Sequence, residues 1–565
     1  MFFGSSILQN NPGFGKAQTI GLVAGLFLLI IALIPDRFLK KKKKEINENF
    51  EIITDHIIQF IHNSHKKYIL EIIVFLEIVI VYFTNSINHI FPLGYAGLYI
   101  LISEKISIFP WHIPSIIPFY GPGGIPFAYP PLGMIVGSFF INTLNVQPFV
   151  YLRFFPPLMG LFYSIGWYFF VRTITKSRIK GVISVFFLST MVLVFEYHLT
   201  AAGIIRGLAL MFLIWGLFWI VKSFQNDRIE KKYILLAGAF FGLTILTHLT
   251  YALFFALSLV LIALCKSQKS LNQRIAIVAI IIFIGISISA IWWVPILSEF
   301  GISIFKNVLS THRGLDFMSK LFHPNQTINT ALDIFISWGN SHWPGLTLAG
   351  IAFALLRRRW FLILWFISSF ILIGEGDRFL LIIGSVLLAD LLWDILILIY
   401  NNKPSKKDQI MIYFAVIFFL VFSWLASFRN IQSKEPVLNT SIIQMSEWLK
   451  KQPSKDVYLF ISGSENHDLA EWLPYLSRHT PVVGHWGAEW TGNYKTQFYF
   501  WEEIGRCAKE QSLSCIEGIT NELQSKPDHY IIPNSLETFI QKLESTGEWK
   551  LSFINDNFSI YSMKK

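Results

Sequence analysis

Eleven apolar runs, at about 69–85, 155–171, 181–197, 205–221, 233–248, 250–265, 275–294, 341–356, 361–374, 378–400 and 409–427, are separated by breaks of alternating character. No other feature limits the fold of this chain so tightly. Backbone N–H and C=O groups in hydrocarbon must be satisfied within their own segment, so runs of this kind fold as membrane-crossing helices. Every second break is rich in Lys and Arg: VRTITKSRIK, VKSFQNDRIEKK, CKSQKSLNQR, LLRRRW and NNKPSKKD. The breaks between them hold FEYHLTAAGIIR, WWVPILSEFG and GEGDR. Basic loops are retained in the cytoplasm, so the first set is expected inside and the second outside. A further run, 18–35, ends in PDRFLKKKKK, which predicts a first crossing with the N-terminus outside. Positive charge after that run, instead of before it, argues against a cleaved signal peptide.

The expectation is an α-helical polytopic protein of the cell (plasma or inner) membrane with about twelve transmembrane helices. Composition agrees: 53% of residues are hydrophobic and only 15% charged, against roughly 25% charged in soluble domains. The net charge of +11 is the inside-positive bias of the loops, and no nucleic-acid surface is read from it. The stretch 129–147 is apolar too, but counting it as a crossing would invert every later loop, so it is read as lying along the outer membrane face.

From about residue 428 the membrane character is lost. A helix over 440–451 with Thr440 as N-cap, strands at DVYLFIS and HYIIP, a helix at SLETFIQKLES and a hairpin in WKLSFINDNFSIYSM predict a small extracytoplasmic α/β domain. The division is then 1–68, an N-terminal helix and basic segment; 69–427, a transmembrane core with an outer loop at 86–154; and 428–565. Cys507 and Cys515 lie where oxidation is allowed, so they are either a disulfide or two buried thiols. The triplets at Asn325, Asn439 and Asn557 fit the N-glycosylation pattern, which is common by chance.

This topology gathers the costly polar residues on one side. They are His89, Glu104, Lys105, His112 and Tyr120 in the loop; Glu196, His198 and Arg206; His248; Glu299; and Glu375, Asp377 and Arg378. Each alone could be a solvated loop residue or a satisfied core residue. Together they predict a polar cavity at a membrane interface. Within the loop, PFYGPGGIPFAYPPLG, residues 118–133, is too rich in Pro and Gly for helix or strand. Irregular backbone is tolerated there only where protein covers it or a wet cavity adjoins it, so the run is read as a wall of that cavity or as an interfacial aromatic belt.

A long outer loop ending in an aromatic-PPL element, the Arg-Gly pair of GIIRGLAL, LTHLTYALF, WWVP, DRFLL and AEWLPYLSRHTPVVGHWGAEW occur in that order. The arrangement, over perhaps 86–500, resembles the GT-C membrane glycosyltransferases. That resemblance implies transfer of a sugar from a polyprenyl-phosphate-linked donor to a glycan, lipid or protein acceptor outside the cytoplasm, with inversion. It implies no cofactor beyond the divalent metal ion that some members use. Relatives carry an acid early in the first loop, whereas FPLGYAGLYILISEKI has Tyr95 there.

The carboxylates left for orienting the acceptor are Glu104 and, within a crossing, Glu77, with Glu71 nearer the cytoplasmic end. Arg206, Arg378, His248, His198 and Tyr120 are the candidates for the donor phosphate, Arg206 having a helix N-terminus beside it. Glu471, Trp486, Glu489 and Trp490, with Arg478 and His485, form an aromatic and charged cluster suited to the acceptor. Two other readings stay open: a non-catalytic scaffold or lipid-binding relative, which Tyr95 favours, and a transporter, which lacks the internal repeat it would need.

Overall fold

A computed structural model describes residues 68–108, 112–225, 229–311, 343–373, 377–401, 406–462 and 466–564. The run 18–35 with its basic tail, Asn325, Glu375 and the Asp377 side chain lie outside the described residues. The helices of the first part are α1 (Ile69–Asn88), α2 (Gly97–Lys105), α3 (Leu132–Ser138), α4 (Pro148–Thr175), α5 (Arg178–Thr190), α6 (Val192–His198), α7 (Gly203–Gln225), α8 (Lys231–Ile245), α9 (Leu249–Cys265), α10 (Leu271–Phe300) and α11 (Ser303–Thr311). Next come α12 (Trp343–Leu356), α13 (Trp360–Leu372), α14 (Asp377–Asn401) and α15 (Lys406–Gln432).

Six of these, α1, α4, α7, α10 and the apolar parts of α14 and α15, are long and apolar enough to cross a membrane, which the chain therefore spans. The run 181–197 is not one straight helix: α5 and α6 meet at a 72° bend. The side chains of Ser189 and Thr190 bond back to the carbonyls of Phe186 and Phe187, and Met191 is extended, so the helical ladder stops there. Helices α8, α9, α12 and α13 stand where crossings are expected but fall short of a perpendicular span.

Close approach and satisfied polar edges hold the bundle together. Gly238 and Gly242 of α8 face α10, where a Cβ would come within 2.7 Å of Ile284 and 2.8 Å of Ile288, the small-residue contact that packs helices in lipid. The buried indole of Trp167 donates to Ser184 at 2.9 Å and Ser385 at 3.0 Å, and that of Trp365 donates to Ser258 at 2.8 Å. At one end of the bundle the basic breaks converge: Lys180 bonds Asp390 at 2.5 Å and Asp394 at 3.0 Å, with Arg357 and Arg359 on the same two acids.

The loop 118–133 is less irregular than its composition suggests. Ile116–Ile117 (β1) pairs antiparallel with Ile125–Pro126 (β2), and α3 begins at Leu132. With the π-helical turn Phe139–Thr143, α3 makes a twelve-residue element, about 18 Å long and too short to cross.

The C-terminal region contains α16 (Thr440–Lys450), β3 (Val457–Phe460), α17 (His467–Ser477), β4 (Thr480–Pro481), α18 (Tyr494–Lys509), α19 (Leu513–Glu522), β5 (His529–Pro533), α20 (Glu537–Ser545), β6 (Trp549–Ile554) and β7 (Phe558–Met563). The sheet order is β4-β3-β5-β7-β6, parallel across β4, β3 and β5 and antiparallel beyond. Tyr458, Phe460, Ile531, Phe558 and Ile560 pack with α16 and α17, whereas Leu459, Ile461, Tyr530, Ile532 and Tyr561 pack with α18, α19 and α20. The period of two thus buries both faces. The first of these cores continues into Leu98, Ile102, Tyr120 and Phe155, so the loop and the C-terminal layers share one interior. Asn439, not Thr440, caps α16, its side chain accepting the Ile442 N–H at 3.0 Å. Cys507 and Cys515 form a disulfide.

Candidate active site

The segment FPLGYAG, residues 91–97, is fastened from two sides. The Ala201 amide donates to the Leu93 carbonyl at 2.9 Å, and the Trp472 indole to the Gly94 carbonyl at 2.9 Å. Both oxygens of Glu471 accept amides of the first turn of α2, from Gly97 and Leu98, each at 2.7 Å. Glu471 is buried, which pushes its carboxyl up to about 8 while those two amides pull the other way. The Tyr120 hydroxyl, also buried, donates to the Glu471 carbonyl at 2.8 Å. Tyr95 is thereby held between the start of α7 and the C-terminal layers.

There the Tyr95 oxygen accepts an N–H from Arg206, whose guanidinium lies 5.4 Å from the Tyr95 ring and 6.0 Å from that of Tyr197. Arg378 is 4.8 Å from the other guanidinium's neighbour, the Tyr197 ring, and 6.0 Å from Tyr251. Two cations therefore share one phenol ring. The Nε of Arg206 is buried with no hydrogen-bond partner, and Arg206 has no ion pair among the described residues. Burial raises the Tyr95 phenol, which keeps its proton.

His198 supports this row from behind. Its Nδ1 is 2.9 Å from the Val194 carbonyl and must donate, so Nε2 is the acceptor for the Tyr251 hydroxyl at 2.6 Å. His248 caps α9 by accepting the Thr250 amide at 3.3 Å, and its ring stands edge-on to Tyr251 at 4.9 Å. Arg206, Arg378, His198 and His248 are thus brought together, though far apart in the chain.

From the C-terminal layers Trp486 reaches the same place, 4.7 Å from Tyr95, with His467 at 4.4 Å from Trp486 and 6.1 Å from Tyr95. The turn that carries Trp486 needs glycine next: Gly487 has φ +81°, and a Cβ there would sit 2.0 Å from Ile125. The β1–β2 hairpin so fixes the height of Trp486. His467 and its neighbour Asp468, which bears electrostatically on Tyr95, were not singled out from the sequence. The only local signal was a His-Asp pair opening a helix some twenty residues before His485-Trp486.

The other predicted residues go elsewhere. Glu104 accepts from Tyr475 at 2.7 Å and Arg478 at 2.6 Å, at the far end of α2, about 10 Å along the helix from Gly97. Glu77 accepts from Ser189 at 2.9 Å and Trp424 at 3.0 Å, tying α1 to α5 and α15. Glu71 pairs with Arg178. Glu489 takes the Tyr129 hydroxyl, and Trp490 lies 5.1 Å from Tyr129 in a core with Trp292 and Ile296 of α10. Glu196 pairs with Lys434 at 2.5 Å, His89 with Glu435 at 3.7 Å, and Glu299 and His112 are exposed.

Tyr95 offers a divalent cation no carboxylate, and its phenol oxygen already receives a guanidinium N–H. Among the described residues no group of three or more His, Cys, Asp or Glu side chains could hold a metal.

No family model and no curated protein matches the chain. Solved structures match its fold. The archaeal oligosaccharyltransferase AglB from Archaeoglobus fulgidus, in complex with an inhibitory peptide and a dolichol-phosphate, is 14% identical over 84% of this chain and 70% of that one, at TM-score 0.54. The same enzyme tethered to an acceptor peptide is 14% identical over 89% and 75%, at TM-score 0.55. ArnT from Cupriavidus metallidurans, bound to undecaprenyl phosphate, is 14% identical over 87% and 97%, at TM-score 0.50. The chain is a membrane protein with the fold of the GT-C glycosyltransferases.

Proposed function

We propose that the protein is a glycosyltransferase that takes a sugar from a polyprenyl-phosphate-linked donor and passes it to an acceptor on the extracytoplasmic side. The observation that carries this reading is the pair of arginines, Arg206 and Arg378, set against the single ring of Tyr197 beside Tyr95. Two guanidiniums at helix starts suit a lipid phosphate, and two proteins of this fold are described bound to dolichol-phosphate and undecaprenyl phosphate. The orientation rests on two independent supports. The basic breaks meet at the opposite end of the bundle, and the C-terminal layers contain a disulfide, which persists in oxidising compartments. Residues 69–427 then form the transmembrane core and 428–565 the outer domain, in the cell membrane.

In the transfer, an acceptor hydroxyl attacks the anomeric carbon as the bond from that carbon to the phosphate oxygen breaks. Polyprenyl phosphate leaves, its charge held by Arg206, Arg378 and the Tyr95 hydroxyl, and the configuration inverts. The hydroxyl proton goes to a carboxylate. Asp468 lies 3.5 Å from the imidazole of His467, whose ring is 6.1 Å from that of Tyr95, whereas Glu104 and Glu77 are held by donors elsewhere, so Asp468 is the base of this proposal. His248 and His198 keep Arg378 and Tyr251 in place, and Glu471 and Tyr120 set the position of Tyr95. Trp486 faces the acceptor, with Glu489 and Trp490 seating its turn on the core.

The test is the native host with and without the gene. Loss of one sugar from a glycoconjugate, with build-up of its polyprenyl-phosphate donor, and rescue by the wild type but not by Asp468→Asn, supports the reading. Unchanged glycan and lipid pools, with the protein expressed, favour a non-catalytic lipid-binding scaffold.

A further inference from the structure

The side of the site formed by the C-terminal layers has a chemistry of its own. Tyr95, His467 and Trp486 each keep part of their surface open, while His485 and Trp501 behind them are buried. Their rings are contiguous, with His467 to His485 at 5.2 Å and His485 to Trp501 at 4.9 Å. Three polar ring edges in this cluster, His485 Nδ1, Trp486 Nε1 and Trp501 Nε1, are buried without a hydrogen-bond partner. Such groups are costly to bury unless something serves them.

The two imidazoles approach with Nε2 to Nε2 at 3.3 Å, so one donates and the other accepts. Whichever ring donates, that bond leaves the Nδ1 of His485 unused. Burial, and then His467, depress His485 to about 3, in keeping with a neutral ring.

A lipid tail would leave these edges unserved, and a phosphate would find neither arginine nor lysine among these rings. Flat apolar faces with hydrogen-bonding rims match a sugar ring, which offers C–H faces and a rim of hydroxyls. We propose that His467 and Trp486, backed by His485 and closed by Tyr95, form the seat of a sugar ring. The proposal rests on the reading of Arg206 and Arg378 as the phosphate site, and Tyr95 contacts both Trp486 and Arg206. The ring is either the glycosyl group of the donor or the terminal sugar of a glycan acceptor.

The experiment uses the full chain purified from its host in mild detergent, as wild type, His467→Phe, His485→Phe, Trp486→Leu and Arg206→Gln. In one arm, co-purified lipids are extracted and the ratio of sugar-bearing to bare polyprenyl phosphate is measured by mass spectrometry. In the other, oligosaccharides released from the host surface are tested for raising the melting temperature. If the seat holds the donor sugar, the three aromatic variants lower the ratio at least tenfold and retain bare polyprenyl phosphate. If it holds an acceptor sugar, they keep the ratio and lose the oligosaccharide-induced shift. Variants that melt like the wild type without ligand and change neither readout overturn the proposal. Arg206→Gln retaining both lipids at wild-type levels overturns the phosphate reading instead, and the oligosaccharide arm then decides the sugar seat alone.

Discussion

Replacing Glu471 by alanine removes the acceptor of two buried amides at once. Gly97 and Leu98 each donate to one of its oxygens at 2.7 Å, and the residue is 1% exposed, so water does not substitute freely. Each stranded amide costs about 1–3 kcal/mol. The removed side chain leaves space for some relaxation, so the expected loss is about 2–4 kcal/mol. At about 1 °C per kcal/mol for a chain of 565 residues, the melting temperature of the detergent-solubilised protein falls by roughly 2–4 °C. Glu471→Gln keeps one carbonyl acceptor and turns its NH2 toward the second amide, so it is expected to fall between alanine and wild type. Differential scanning fluorimetry, read from the tryptophans, measures both. If Glu471→Ala melts within a degree of wild type, the clamp between α2 and α17 does not hold Tyr95 and the site has no fixed first-loop residue.

Other outcomes are as specific. His485 is depressed to about 3 by burial, while the unfolded chain protonates near 6.5, so its contribution to stability is present above pH 6.5 and is lost as pH falls toward 3. His485→Phe should therefore flatten the melting temperature against pH between about 6.5 and 4, and an unchanged slope would mean that the imidazole titrates freely, with His467 and Asp468 beside it the groups to examine next. Tyr197→Leu, which removes the ring shared by both arginines, should weaken retention of polyprenyl phosphate roughly 2- to 30-fold, the range of one or two cation–π contacts, while Tyr197→Phe keeps most of it; equal retention by Leu and Phe variants would refute a role for the ring. Gly487→Ala places a Cβ 2.0 Å from Ile125 at φ +81° and should lower the melting temperature by about 1–3 °C, the effect of ~1–3 kcal/mol of strain; a wild-type melt would show that the hairpin does not set the height of Trp486.

Most of the architecture was legible because it follows from local composition. The apolar runs became helices at the expected places, and the alternating charge was realised in space, Lys180, Arg357 and Arg359 meeting on Asp390 and Asp394 at one end. The bend at Met191 was hidden, because it depends on which carbonyls the Ser189 and Thr190 hydroxyls choose. Arg206, Arg378, His198, His248 and Trp486, each marked in the sequence by residue type, are brought together in the structure. What sequence spacing could not supply was the pairing of residues more than a hundred apart. Glu104 meets Tyr475 and Arg478, and Glu77 meets Ser189 and Trp424, so the two carboxylates that looked most suitable are each held away from Tyr95. Tyr95 itself read as a missing acid, and its contact with Arg206 makes it a residue of a cationic site.

The central claim, that Arg206 and Arg378 hold the phosphate of a lipid-linked sugar donor, is most directly tested by turnover in a defined membrane. The purified full chain in nanodiscs is given the polyprenyl-phosphate-sugar fraction of its host membranes together with host surface glycans, and release of bare polyprenyl phosphate is followed by mass spectrometry. The wild type should release it with time, and Arg206→Gln and Arg378→Gln should each lower the rate by a hundredfold or more, the effect of losing ~3 kcal/mol of transition-state stabilisation. Release at the wild-type rate by either variant, with both folded, would contradict the account.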